Sequence, residues 1–182
     1  MKTIIVTRAI HELTESEQNK IHSLLNSTKI IKVCVNYAQY VGDIRIFHDY
    51  FCYPTYEKYP EPIIMTSNRI SRSNLVDKKD IESGRVITYD NIKIPFSRKE
   101  GKLFFRSGTL TTAIDLCYSW LGSTECLLLA TNVIDVKNKN FNKILFERQM
   151  KENVKVYPNL YSFKEDNNFD LKYKSLKEFI NG

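Results

Sequence analysis

Three short runs in this chain are dominated by apolar and β-branched residues: "KTIIVT" (Lys2–Thr7), "KIIKVCV" (Lys29–Val35) and "CLLLAT" (Cys126–Thr131). A strand with one wet face alternates polar and apolar residues. A run that is apolar on both faces has to be covered on both sides, which is the situation of a strand inside a parallel sheet. Between the first two runs lies "HELTESEQNKIHSLLN", where Thr14 and Glu17 have capping-box spacing and Ile21, Leu24 and Leu25 form an apolar stripe. Strand, helix, strand in that order is the unit from which parallel sheets are built.

The rest of the chain extends the same scheme. A short strand is expected over Ile44–Phe47, followed by an aromatic loop with Pro54, Pro60 and Pro62, and another strand over Ile63–Ser67. "SNRISRSNLVDKKDIESG" (residues 67–84) is polar, basic and poorly periodic, which predicts a loop with one helical turn. "RVITYDNIKIPFS" reads as two short strands around Asp90–Asn91, an edge hairpin near residues 85–96. Leu110, Ala113, Ile114, Cys117, Tyr118 and Leu121 have the spacing of a core-facing helix, and Gly122 stands where a helix-ending glycine belongs. Further on, "NVKVYPNLYSF" is expected to hold one more strand and "SLKEFI" a helix. The prediction is a single Rossmann-like α/β domain over residues 1–182, with a mostly parallel sheet, helices on both faces and a small edge hairpin.

The formal net charge is +6 and the pI about 9.0, which favours an anionic partner: a phosphorylated ligand, nucleic acid or a membrane surface. The basic residues are dispersed, and the densest patches, "NLVDKKDIESGR" and "DLKYKSLKEF", carry acids as well. Nucleic acid is therefore the weaker reading, a peripheral membrane contact stays open, and the oligomeric state is not specified. Cys34, Cys52, Cys117 and Cys126 form no C-x-x-C pair, and His11, His22 and His48 do not cluster with them. Free buried thiols are expected, with no metal site and no resident cofactor. The apolar part of "MKTIIVTRAIHE" is too short for a secretory leader, and no run approaches the ~18 apolar residues of a membrane span. A cytoplasmic chain is expected.

The standard phosphate motifs G-x-G-x-x-G and G-x-x-x-x-G-K-[ST] are absent, and the chain has six glycines in all. Candidate site residues must therefore come from elsewhere. Ser107-Gly108-Thr109 opens the second helix beside Arg106. Unpaired amides at a helix start bind phosphate, glycine permits close approach, and arginine adds charge; the alternative is a plain N-cap. Asn36 follows a strand's carboxyl end, where open α/β sheets bind ligands; the alternative is a loop asparagine in an unusual backbone conformation. His48 and Asp49 follow the third strand and offer a base and a carboxylate, although adjacent strand residues point to opposite faces. Tyr157, Tyr161 and Lys164 could hold a leaving phosphate or simply pack as aromatics under a C-terminal element.

Two segments, "IIKVCVNYAQYVGDIRIFHDYFCYP" and "RSGTLTTAIDLCYSWLGSTECLLLATNVID", together resemble the bacterial sialyltransferase-like glycosyltransferases of surface glycan synthesis. They are also similar to the related Rossmann-like families of motility-associated glycosyltransferases and pterin pyrophosphokinases. The resemblance implies a glycosyltransferase with a nucleotide-sugar donor, CMP-sialic acid in the sialyltransferases, and a glycan acceptor. It implies that Asn36 contacts the donor nucleotide, that Ser107 and Gly108 form the turn against its phosphate, that His48 and Asp49 lie near the sugar and acceptor, and that Tyr157 and Tyr161 assist the leaving phosphate. The sequence departs from the family in three places. "VTRAIHELT" replaces a glycine-rich first turn, so Thr7 or Arg8 would have to supply the lost phosphate contacts. "ATN" replaces G-x-D after the buried strand, and no histidine follows residue 48. Two rival readings are a nucleic-acid binder using Arg69, Arg72, Lys78, Lys79 and Arg85, and an assembly protein using the sheet edge at Val86–Ile94.

Overall fold

The structure, a computed structural model, describes residues 1–47, 58–67, 76–89, 109–129, 143–165, 167 and 169–182. Its centre is a sheet of eight strands: β1 (Lys2–Val6), β2 (Ile31–Val35), β3 (Ile44–Phe47), β4 (Ile63–Ser67), β5 (Val86–Tyr89), β6 (Glu125–Leu129), β7 (Leu160–Ser162) and β8 (Lys172–Tyr173). Every pairing is parallel, and the strand order is β5-β4-β3-β2-β1-β6-β7-β8. The runs with no polar face are the ones at the centre. β1 lies between β2 and β6, and Ile4, Ile5, Val6, Leu127, Leu128 and Leu129 are all buried.

The pleat sorts these side chains onto two faces. On the first face Ile5, Val33, Val35, Ile44, Ile46, Cys126, Leu128 and Leu160 meet the helices α3 (Thr109–Ser119) and α4 (Lys143–Val156). On the second face Ile4, Val6, Cys34, Leu127 and Leu129 meet α1 (Glu15–Asn26), a 3-10 turn (Arg8–Glu12) and α5 (Leu176–Asn181). A smaller apolar group, Phe47, Ile64, Val76 and Val86, lies near α2 (Lys78–Glu82). This is the expected Rossmann-like α/β arrangement, with helices on both faces.

Local signals explain most of the elements. Thr14 accepts a hydrogen bond from the Glu17 amide while the Glu17 carboxylate accepts from the Thr14 amide, so the capping box starts α1 as its spacing predicts. Ser175 and Glu178 do the same for α5. Gly122, at φ +68°, ends α3 in the left-handed conformation and turns the chain into β6.

Three features differ from expectation. The first half of the edge hairpin is β5, which runs parallel to β4; its second half lies outside the described residues. "NVKV" belongs to α4, whose apolar stripe of Phe146 and Met150 is interrupted by the buried polar residues Gln149 and Asn153; only Leu160–Ser162 of that stretch is a strand. Finally, α3 is buried on its polar side too, with Thr111, Thr112 and Asp115 as inaccessible as Ile114. Among the described residues no helix is long and apolar enough to cross a membrane.

Candidate nucleotide site at the carboxyl edge

The chain builds from β1 towards β5 in one direction, then resumes at β6 on the other side of β1. The carboxyl ends of β1 and β6 therefore form the switch point of the sheet, the place where open α/β folds accept ligands. Thr7 follows β1 there. Its amide and its hydroxyl both donate to the Leu129 carbonyl, at 3.4 and 3.1 Å, and tie the two strand ends together. Arg8 is exposed at the start of the 3-10 turn, which is anchored by the buried Ile10.

Beyond that turn, the N-terminus of α1 is occupied by its own side chain. The Glu17 carboxylate accepts from the Thr14 amide at 2.9 Å and from the Thr14 hydroxyl at 2.7 Å. These bonds hold the Glu17 carboxyl below its ordinary range, and Glu15 adds a second negative charge to the same turn. The helix end that holds phosphate in dinucleotide folds is thus neutralised from within.

α3 carries no acid in its first turn. It packs over β1, β2 and β3, and it leads through Gly122 into the amino end of β6. It runs antiparallel to the strands, so its N-terminus points at the carboxyl edge. Thr109 is its first helical residue and is buried; the first turn carries the hydroxyls of Thr109, Thr111 and Thr112 and no acid.

Asn36 stands one residue beyond β2, level with the end of β3 because Cys34 pairs with Arg45 and Val35 with Ile46. Its backbone is left-handed, at φ +50°. Its amide donates to the Ile46 carbonyl at 3.0 Å, and its own carbonyl accepts from the Arg45 guanidinium at 2.6 Å. The side-chain Oδ1 is buried and has no hydrogen-bond donor among the described residues. Both sequence readings of Asn36 thus meet in one residue: its backbone makes a turn that favours Asn, and an acceptor oxygen remains.

The structure accordingly brings Thr7, Arg8, Asn36 and Thr109 to one edge. Tyr157 and Tyr161 do not join them. Tyr157 directly follows α4, which also runs antiparallel to the strands, so it emerges at the amino edge, stacked on Tyr118 at 4.0 Å with the rings 4° from parallel. Tyr161 lies inside β7 on the second face, against Phe179 at 6.3 Å and beneath the Lys174 ammonium at 4.5 Å. Both tyrosines are packing residues of the fold in these positions. His48, Asp49, Arg106, Ser107 and Gly108 lie outside the described residues.

Burial pushes the Cys34 thiol up to about 12 and the Cys117 thiol well above its ordinary value, so neither is a thiolate at neutral pH. Among the described residues no group of three or more His, Cys, Asp and Glu side chains could hold a metal.

Sequence reasoning passed over Arg45 and Glu61. Both are fully buried and ion-paired to each other, and Arg45 lies over the Tyr59 ring at 4.1 Å. The available signal was a single arginine inside the otherwise apolar strand "IRIF". Compared with family models, with curated proteins and with solved structures, the chain matches none.

Proposed function

We propose that this chain binds a nucleotide-activated sugar at the carboxyl edge of its sheet and transfers the sugar to a glycan acceptor. Two observations support the reading: beside β1, one residue past β2, the Asn36 acceptor oxygen has no donor among the described residues, and α3, which packs over β1, β2 and β3, has no acid in its first turn. The choice of a sugar donor, with CMP-sialic acid the first to try, rests on the resemblance of residues 30–54 and 106–135 to sialyltransferase-like enzymes. In such a transfer the acceptor oxygen bonds to the anomeric carbon, the bond from that carbon to the phosphate oxygen breaks, and the nucleotide leaves with the electron pair. The acceptor's proton passes to His48 or Asp49.

A specific observation also favours a second reading, a nucleotide- or nucleic-acid-binding protein without turnover. The first turn has no glycine, Thr7 is engaged with Leu129, and α1 carries its own carboxylate, so the usual phosphate cradle is closed. Calorimetric titration with CMP, CDP, UDP, GDP and ATP tests the shared part of both readings. The test compares the wild type with Asn36→Gly, which keeps the left-handed turn and removes the acceptor, and with Thr109→Ala. Binding of one nucleotide, weakened in both variants, is expected. Release of free nucleotide from CMP-sialic acid then separates transferase from binder, and the absence of binding to all five nucleotides would sink both readings.

A further inference from the structure

Nothing in the nucleotide reading above calls for a buried arginine, yet Arg45 touches the candidate site directly. One terminal nitrogen of its guanidinium donates to the carbonyls of Asn36 at 2.6 Å and Ala38 at 2.9 Å. The other donates to the Tyr40 carbonyl at 2.7 Å and to the Glu61 carboxylate. The arginine is 1% exposed and Glu61 is inaccessible. Glu61 also accepts from the Gly42 amide at 3.3 Å.

These bonds have one consequence for Asn36. A left-handed residue at the end of a strand holds that conformation only when its surroundings over-determine it. Here the amide of Asn36 is fixed by β3 through Ile46, and its carbonyl is fixed by Arg45. With both peptide planes set, the Cα–Cβ direction is set too. The side chain leaves this turn one residue past the carboxyl end of β2, and no donor among the described residues meets its oxygen.

We infer that Arg45 is a positioning residue for the nucleotide site: its fork clamps the Asn36 carbonyl so that the Asn36 side chain meets the ligand, with Glu61 holding the guanidinium in register. This deepens the nucleotide reading proposed above and rests on it. A planar fork with several donors is required, because one group must reach three carbonyls and a carboxylate at once. A lysine ammonium preserves the charge opposite Glu61 but not that geometry.

The test uses the full chain as wild type, Arg45→Lys, Asn36→Gly and the double variant, each titrated with CMP, CDP, UDP, GDP and ATP well below its unfolding temperature. Hydrogen exchange at the Asn36 amide is followed in parallel. Arg45→Lys is expected to weaken the nucleotide that the wild type binds by about tenfold. It should also speed exchange at Asn36 while the β1–β2 amides stay protected. In the Asn36→Gly background Arg45→Lys should have no further effect on affinity. A purely structural arginine would lower the unfolding temperature of Arg45→Lys and leave affinity and Asn36 exchange unchanged, which would overturn the inference while leaving the nucleotide reading in place. A wild type that binds none of the five nucleotides would remove the nucleotide reading, and this inference with it.

Discussion

The first two crossings of the sheet are built in opposite ways. From β1 to β2 the chain takes a helix, α1, which satisfies its own backbone and needs help only at its ends. From β2 to β3 it has eight residues, Asn36 to Asp43, fewer than the dozen or so that a helical crossover takes, and no helix forms. The segment runs back along the second face of the sheet, burying Ala38 and Tyr40 beside Cys34. Among the described residues, the carbonyls of Asn36, Ala38 and Tyr40 are met by side chains, not by a neighbouring strand. Arg45, projecting from β3 beneath them, supplies the donors for Asn36, Ala38 and Tyr40. Lys32 and Asp43 pin the far end, through the Asp43 amide to the Lys32 carbonyl at 2.9 Å and the Lys32 amide to the Asp43 carboxylate at 2.7 Å. A helical crossing is locally self-sufficient, whereas an extended one imports its hydrogen bonds from distant side chains.

The sharpest way to break this comparison is to remove the imported donors. Arg45→Met should cost about 3–5 kcal/mol, because it removes the guanidinium donors of the Asn36 and Ala38 carbonyls, leaves the Tyr40 carbonyl with only the Cys34 thiol, and leaves the Glu61 carboxylate without its charge partner. Denaturant unfolding of Arg45→Met and of Arg45→Met/Glu61→Gln separates the two contributions. If the lone carboxylate dominates, the double variant recovers much of the loss. If the carbonyls dominate, it recovers little. A cost below about 1 kcal/mol, the range of an exposed pair, would mean that the crossing does not depend on its arginine.

Next in size is Gly42, which lets the returning chain lie against β2. A Cβ there would stand 2.6 Å from the Lys32 carbonyl oxygen and 2.8 Å from the Cys34 sulfur. The oxygen is backbone inside the sheet and cannot swing away. Gly42→Ala is therefore expected to destabilise by about 2–3 kcal/mol. Gly84→Ala is the control for the other kind of glycine: it has open space around its Cβ position but a φ of +77°. Its cost is one of backbone strain, about 1 kcal/mol. Equal effects at the two positions would show that the crowding at Gly42 is relieved by movement of the loop.

The same contrast decides what could be read in the sequence. α1 was legible because Thr14, Glu17, Ile21 and Leu25, the residues that specify it, lie within one short window. The central strands were legible because burial on both faces leaves no polar period. The β2–β3 crossing left no such trace: Arg45 and Glu61 are 16 residues apart, and neither has meaning until the fold brings them together. α4 escaped for a related reason, since Gln149 and Asn153 stand in its buried stripe and spoil the apolar period. At the candidate site, the ends of β1 and β2 marked Thr7 and Asn36, and the helix start marked Thr109. Tyr157 and Tyr161 stayed open between phosphate binding and aromatic packing because residue type alone does not say at which end of an antiparallel helix, or on which face of a strand, a side chain will emerge.

The smallest expected effect sharpens the other half of the comparison. If α1 is self-sufficient, damage to its cap should stay local. Thr14→Ala removes the acceptor for the Glu17 amide and the hydroxyl that holds the Glu17 carboxylate, at a cost of about 1 kcal/mol. Because those bonds lower the pKa of Glu17 in the folded state, their contribution is present above the ordinary glutamate range. It fades as pH falls from about 4.3 through the lower folded value. Unfolding curves of the wild type and Thr14→Ala should therefore draw closer as pH is taken below 4, the remaining gap being the bond from the Glu17 amide to the Thr14 hydroxyl, whereas those of the wild type and Gly42→Ala, which differ by crowding against the Lys32 carbonyl, should stay apart. Convergence of both pairs would mean that acid loosens the whole second face rather than one helix end, and the two crossings would then have to be treated as a single cooperative unit.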